Sequence, residues 1–167
     1  MMATLTRVLR HLFATDARSR FPAEAMNRIA VAIGEGERRH HAEVCFAVES
    51  TLPVRQIMRG VQPRTRAEAA FSSLRVWDTA ANNGVLIYLL LADHRIEIVA
   101  DRGLHGLVSD AHWRGVCQLL EERLRSGDQA DAVIAAINAV SDLLALHFPQ
   151  VLGTVDVDEL PDGPVFL

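Results

Sequence analysis

The stretch from Asn82 to Asp110, NNGVLIYLLLADHRIEIVADRGLHGLVSD, constrains the fold of this chain more than any other. An apolar run of strand length, Val85–Leu91, is followed by a reversal at Asp93-His94. A second run, Arg95–Asp101, alternates polar and apolar residues. Too little chain separates the two runs for anything but a tight hairpin. A two-residue loop at Asp93-His94 sets Ala92 opposite Arg95, Leu86 opposite Asp101 and Gly84 opposite Gly103. Asn82-Asn83-Gly84 and Asp101-Arg102-Gly103 then share one end of a sheet.

The flanking chain extends that sheet. Ala42–Glu49 (AEVCFAVE) is rich in strand formers and reads as an earlier, buried strand. Its connection to the hairpin is long enough to hold a helix from Pro63 to about Asp78, the signature of a crossover to a parallel neighbour. Further helices are expected from Pro22, from Ala111 to Leu124 after an N-cap at Asp110, and from Gln129 to His147. The expected fold class is α/β: a three-layer α/β/α sandwich with helices on both faces. Its small mixed central sheet combines one crossover-linked parallel pair with a β-hairpin.

The chain divides into an N-terminal amphipathic helix (1–20), an α/β domain (21–150) and an acidic tail (151–167) that is extended, either disordered or docked through Val165, Phe166 and Leu167. In the first helix Leu5, Val8, Leu9 and Leu12 form one apolar stripe, and Arg7, Arg10 and His11 occupy the other face. Such a helix packs on the domain or lies on a membrane surface; its shortness favours packing.

Charge narrows the partners. The chain of 167 residues has a net charge of -4, so nucleic acid is not an expected partner. All 17 basic residues are Arg, which pairs with phosphate and carboxylate in a planar fork. Cys45 and Cys117 lack metal-ligand spacing. Arg7, Arg10 and His11 interrupt any apolar leader, and the run Val85–Ala92 is too short to span a bilayer. The expectation is a cytoplasmic protein without a transmembrane segment, with peripheral membrane association and a protein partner left open.

The shared sheet end gathers oxygen donors: Asp78, Asn82, Asn83, Asp101 and Asp110. Carboxylates, amide carbonyls and glycine-loosened backbone suit a hard cation such as Ca²⁺ or Mg²⁺. Each residue also has an ordinary structural role, as turn former, strand end or helix cap. Arg102, His105 and His112 border the same end, where an arginine favours phosphate. No Ser-His-Asp arrangement, nucleophile elbow, phosphate-binding loop or dinucleotide fingerprint is present, so covalent catalysis has no support.

At these residues the sequence resembles the TPM domain family. The matching words are Asn82-Asn83-Gly84-Val85-Leu86, Ile96-Glu97-Ile98, Asp101-Arg102-Gly103-Leu104-His105-Gly106, Asp110 and Arg125-Ser126-Gly127-Asp128. It looks most like the bacterial stand-alone branch, without the family's usual signal peptide and membrane anchor. The resemblance implies an α/β sandwich, a cleft holding Ca²⁺ or another divalent ion, acid-phosphatase activity in some members and an accessory role in membrane complexes in others. It carries Asn83, Asp101 and Asp110 over as site-lining, with Asp78 and Asn82 more weakly matched. Where the family often has Gly-Tyr-Gly-Leu, this chain has Asp101-Arg102-Gly103-Leu104. Arg102, with His105, then points to phosphate as an alternative to a simple cation site.

Overall fold

In the computed structural model, residues 2–150, 160 and 163–167 are described. Helices α1 (Met2–Leu12), α2 (Ala17–Arg20) and α3 (Ala23–Glu37) precede strand β1 (Val44–Glu49). Helices α4 (Val54–Met58) and α5 (Pro63–Ser73) lead to β2 (Val85–Leu90) and β3 (Arg95–Ala100). After a single 3-10 turn (Arg102–Leu104) come α6 (Asp110–Ser126), α7 (Gln129–His147) and the short strand β4 (Val165–Phe166). Most of the expected tail, residues 151–159 and 161–162, lies outside the described residues.

The sheet has the order β3-β2-β1-β4. β1 and β2 are parallel, with Val44 beside Val85 and Glu49 beside Leu90. β2 and β3 form the antiparallel hairpin. The mixed sheet, with a parallel pair and a hairpin, is the architecture the sequence implies. β4 adds a parallel edge through Ala47–Val165 and Val48–Phe166. It gives the docked alternative for Val165 and Phe166 a definite form.

Alternation along the strands builds two cores. Val44, Phe46, Val48, Val85, Ile87 and Leu89 face α3, α6 and α7. Cys45, Ala47, Leu86, Tyr88 and Leu90 face the other way, toward Ile57 of α4 and Ala67 and Ala70 of α5. Every residue of β1 and β2 is buried, as a parallel pair covered on both faces requires. α7 is the one described helix long and apolar enough to cross a membrane. Its Val133, Ile137, Val140 and Leu144 are instead fully buried in the first core.

The hairpin register differs from the expected one. Leu90 pairs with Arg95 and Val85 with Ala100, so the loop holds four residues, 91–94, rather than two. His94 closes it in the left-handed region at φ 50°, with its N–H on the Leu91 carbonyl at 3.0 Å. The longer loop turns Asp93 under α1, where its carboxylate is engaged. A two-residue shift preserves the side-chain faces, so the core assignment stands. Asp101, rather than Gly103, now opposes Gly84.

β3 is an outer strand of the sheet. On its far side Arg64 of α5 donates from Nη1 to the Ile98 carbonyl at 2.6 Å.

Candidate functional site

Three loops converge where β1 and β2 begin and β3 ends. After α5 the chain turns at Arg75 (φ 58°) and buries Val76. Thr79 Oγ1 accepts the Asn83 N–H at 3.1 Å, and Asn82 takes a left-handed φ of 51°. Asp101 extends the ladder by donating its N–H to the Gly84 carbonyl at 2.9 Å. The loops meet backbone to backbone at two glycines. A Cβ on Gly84 would lie 1.9 Å from the Val76 carbonyl oxygen. One on Gly103 would lie 2.5 Å from the carbonyl oxygens of both Ala81 and Asn82.

The expected site residues fall into three groups. Asn82, Asn83, Asp101 and Arg102 come together. Asn83 is 1 % exposed, and its Nδ2 donates to the His41 carbonyl at 2.8 Å. That bond fixes the amide orientation, and the buried Oδ1 has no hydrogen-bond partner. Asp101 Oδ1 accepts the Arg102 N–H at 2.7 Å and caps the 3-10 turn, while its buried Oδ2 has no partner. Arg102 Nε donates to Asn82 Oδ1 at 2.9 Å, which places a guanidinium on one of the oxygens expected to meet a cation.

Asp78 stands apart on an exposed turn, paired with Arg75. Asp110 and His105 line a different cleft, of about 480 Å³, with Arg64, Trp113, Arg114 and Cys117. The N-cap of α6 is Ser109, whose Oγ accepts the His112 N–H at 3.4 Å; Asp110 is the first helical residue instead of the cap. That placement leaves its carboxylate in the first turn, where the helix dipole favours it.

The donor chemistry at the sheet end suits a hard cation in part. Asn83 Oδ1 and Asp101 Oδ2 are oxygen ligands of the right type, and the carbonyls around Gly103 are further donors. Among the described residues, no three His, Cys, Asp or Glu side chains are grouped closely enough to hold an ion. Any cation here would rest on the amide, one carboxylate and backbone carbonyls.

Two buried polar clusters at the opposite end of the sheet escaped the sequence reading. Asp93 takes Arg7 Nη2 at 2.6 Å and Arg10 Nη2 at 3.1 Å, and His11 Nε2 lies 3.1 Å away. The Leu52 N–H donates to His11 Nδ1 at 2.9 Å, which orients the ring with Nε2 toward Asp93. Nearby, Glu49 Oε2 accepts the Tyr88 hydroxyl at 2.5 Å and Arg66 Nε at 2.8 Å. A tyrosine within a fully buried strand was the available signal, because a buried hydroxyl requires a partner.

Comparison with known proteins places the chain. The TPM domain model matches residues 14–143, and the chain belongs to that family. The NMR structure of the BA42 protein from the psychrophilic bacterium Bizionia argentinensis is similar over 87% of this chain and 94% of its own, at 27% identity and a TM-score of 0.76. The N-terminal domain of the cg2496 protein from Corynebacterium glutamicum covers 85% of this chain and 84% of its own. At 14% identity and a TM-score of 0.58 it shares the fold alone. No curated protein matches the sequence.

Proposed function

We propose that this TPM domain binds a divalent cation, Ca²⁺ or Mg²⁺, at the sheet end between Asn83 and Asp101, with Arg102 placed to hold a phosphate group beside it. The observation that carries this reading is the pair of buried oxygens without partners, Asn83 Oδ1 and Asp101 Oδ2, on adjoining strand ends. A buried oxygen without a donor is costly unless something else satisfies it. A bound cation would do so, and would polarise a phosphoryl oxygen for hydrolysis by water, an acid-phosphatase type of reaction.

Thermal unfolding with and without Ca²⁺ or Mg²⁺ tests the site. Either ion raises the melting temperature of the wild type, as any ligand specific to the native state must. Asp101→Asn removes the rise, while Asp78→Asn, whose carboxylate pairs with Arg75 on an exposed turn, keeps it. A wild type indifferent to millimolar metal overturns the reading.

A further inference from the structure

α1 is turned inside out relative to an ordinary surface helix. Its inward stripe is Thr4, Arg7, Val8 and His11, and of the expected apolar stripe only Val8 reaches the domain. Leu5, Leu9 and Leu12 point outward at 62%, 47% and 61% exposure, and Phe13 follows at 82%. The buried Asp93 holds the helix this way round. Rolling α1 to bury its leucines would break the pairs from Arg7 and Arg10. A contiguous apolar face left in solvent marks a contact surface.

The surroundings of that face are basic. Phe13 stands at a cleft of about 590 Å³ with Leu89, Ile96 and Leu124 in its walls and Arg10, Arg20 and Arg125 among its lining residues. No acidic residue occurs in the sequence before Asp16. Asp93 is shared by two arginines, and Glu121, the acid in the cleft lining, lies 3.7 Å from Arg125. A two-fold contact of α1 with a second copy would bring the same basic patch of both copies into one interface, since an isologous contact uses one patch twice.

We propose that the outward face of α1 docks this protein on an anionic lipid bilayer. Leu5, Leu9, Leu12 and Phe13 enter the acyl boundary, and Arg10, Arg20 and Arg125 meet headgroup phosphates. The polar stripe that a membrane-surface helix ordinarily shows to water is here turned onto the domain. The family match begins at residue 14, so Leu5, Leu9, Leu12 and Phe13 lie outside the matched region, while Arg20 and Arg125 lie within it. It also lies at the end of the sheet opposite Asn83 and Asp101, so the two proposals fail independently.

Co-sedimentation of the full chain with lipid vesicles tests the docking at low salt. The wild type pellets with phosphatidylcholine vesicles containing phosphatidylglycerol and stays in the supernatant with phosphatidylcholine alone. Leu9→Ser with Phe13→Ser weakens binding about tenfold or more, because each buried apolar side chain contributes at that scale. Arg20→Ala with Arg125→Ala weakens it about tenfold. Both pairs sit on exposed or cleft-lining positions, and unchanged melting temperatures confirm the fold. A wild type that ignores anionic vesicles, or variants that pellet like the wild type, overturns the proposal. So does a concentration-dependent dimer in sedimentation equilibrium that the Leu9/Phe13 pair abolishes, which would make a second copy the occupant.

Discussion

Arg7 and Asp93, 86 residues apart in sequence, meet at 2.6 Å, with Arg7 side-chain exposure of 14% and Asp93 of 4%. The pair ties α1 to the tip of the β2–β3 hairpin. Asp93→Ala strands a partly buried guanidinium beside the buried His11 and costs about 3 kcal/mol, the scale for removing one partner of a buried ion pair. Urea unfolding measures the loss, and amide exchange in α1 accelerates with it. A variant as stable as the wild type would show that α1 is held without this carboxylate, by Val8 packing and the bonds of His11 to Leu52 and of Arg7 to Val61.

The same carboxylate gives stability a sign in acid. Burial opposes its charge, but hydrogen bonds from Arg7 and His11 outweigh that and hold Asp93 below its ordinary value. A lowered carboxylate contributes fully above the unfolded-state value of about 3.9 and loses its contribution as pH falls through the folded value. Asp93→Asn therefore flattens the acid limb of the stability–pH curve. An acid limb identical in variant and wild type counts against this role.

Tyr88 is the only tyrosine, so phenolate absorbance reports it alone. Burial raises its pKa, and the hydrogen bond to Glu49 raises it further. The folded protein shows no phenolate signal as pH passes about 10, the free value. A raised pKa means that the contribution of Tyr88 is complete below that pH and disappears above it, so the signal arrives with alkaline unfolding. Tyr88→Phe costs about 1 kcal/mol, because Arg66 still satisfies Glu49. A phenolate titrating near its free value in native protein would contradict the geometry.

Gly84 holds the candidate site together by close approach. A methyl group there meets the Val76 carbonyl oxygen at 1.9 Å, which is backbone and yields only if the loop moves. Gly84→Ala costs about 3 kcal/mol, the upper range for overpacking, and blunts any cation-induced rise in melting temperature. Gly115→Ala, inside α6 with nothing within 4 Å, is the control: it stabilises by up to about 1 kcal/mol, the helix preference for Ala over Gly, and leaves the cation response unchanged.

The sheet was legible because the apolar runs of β1 and β2, the alternation of β3 and the crossover length can all be read along the chain. β4 was less so: two residues beside Ala47 and Val48 are too few to show a period. The hairpin register escaped because Asp93 suits a two-residue turn, while its place in a four-residue loop is decided by Arg7, far away in sequence. The orientation of α1 failed for the same reason. Its leucine stripe argues for burial, and only the paired acid across the fold reverses it. At the candidate site the turn words marked where Asn82, Asn83, Asp101 and Arg102 gather. They carried no information on side-chain partners, which is why Asp78 with Arg75, and Asp110 in the second cleft, parted from the rest.

The Arg64–Ile98 contact bears on how the protein behaves in a crowd. An outer strand with unsatisfied backbone groups is a template onto which a strand of another molecule can stack. Arg64 occupies one such acceptor with a charge that an incoming strand would have to displace. At the other edge, Val165 and Phe166 cover β1 in a similar way. Both contacts would hinder edge-to-edge stacking of one copy on another. Arg64→Ala is expected to leave the melting temperature within about 1 kcal/mol equivalent of stability, the scale of one hydrogen bond, yet to shorten the time before concentrated solutions turn turbid.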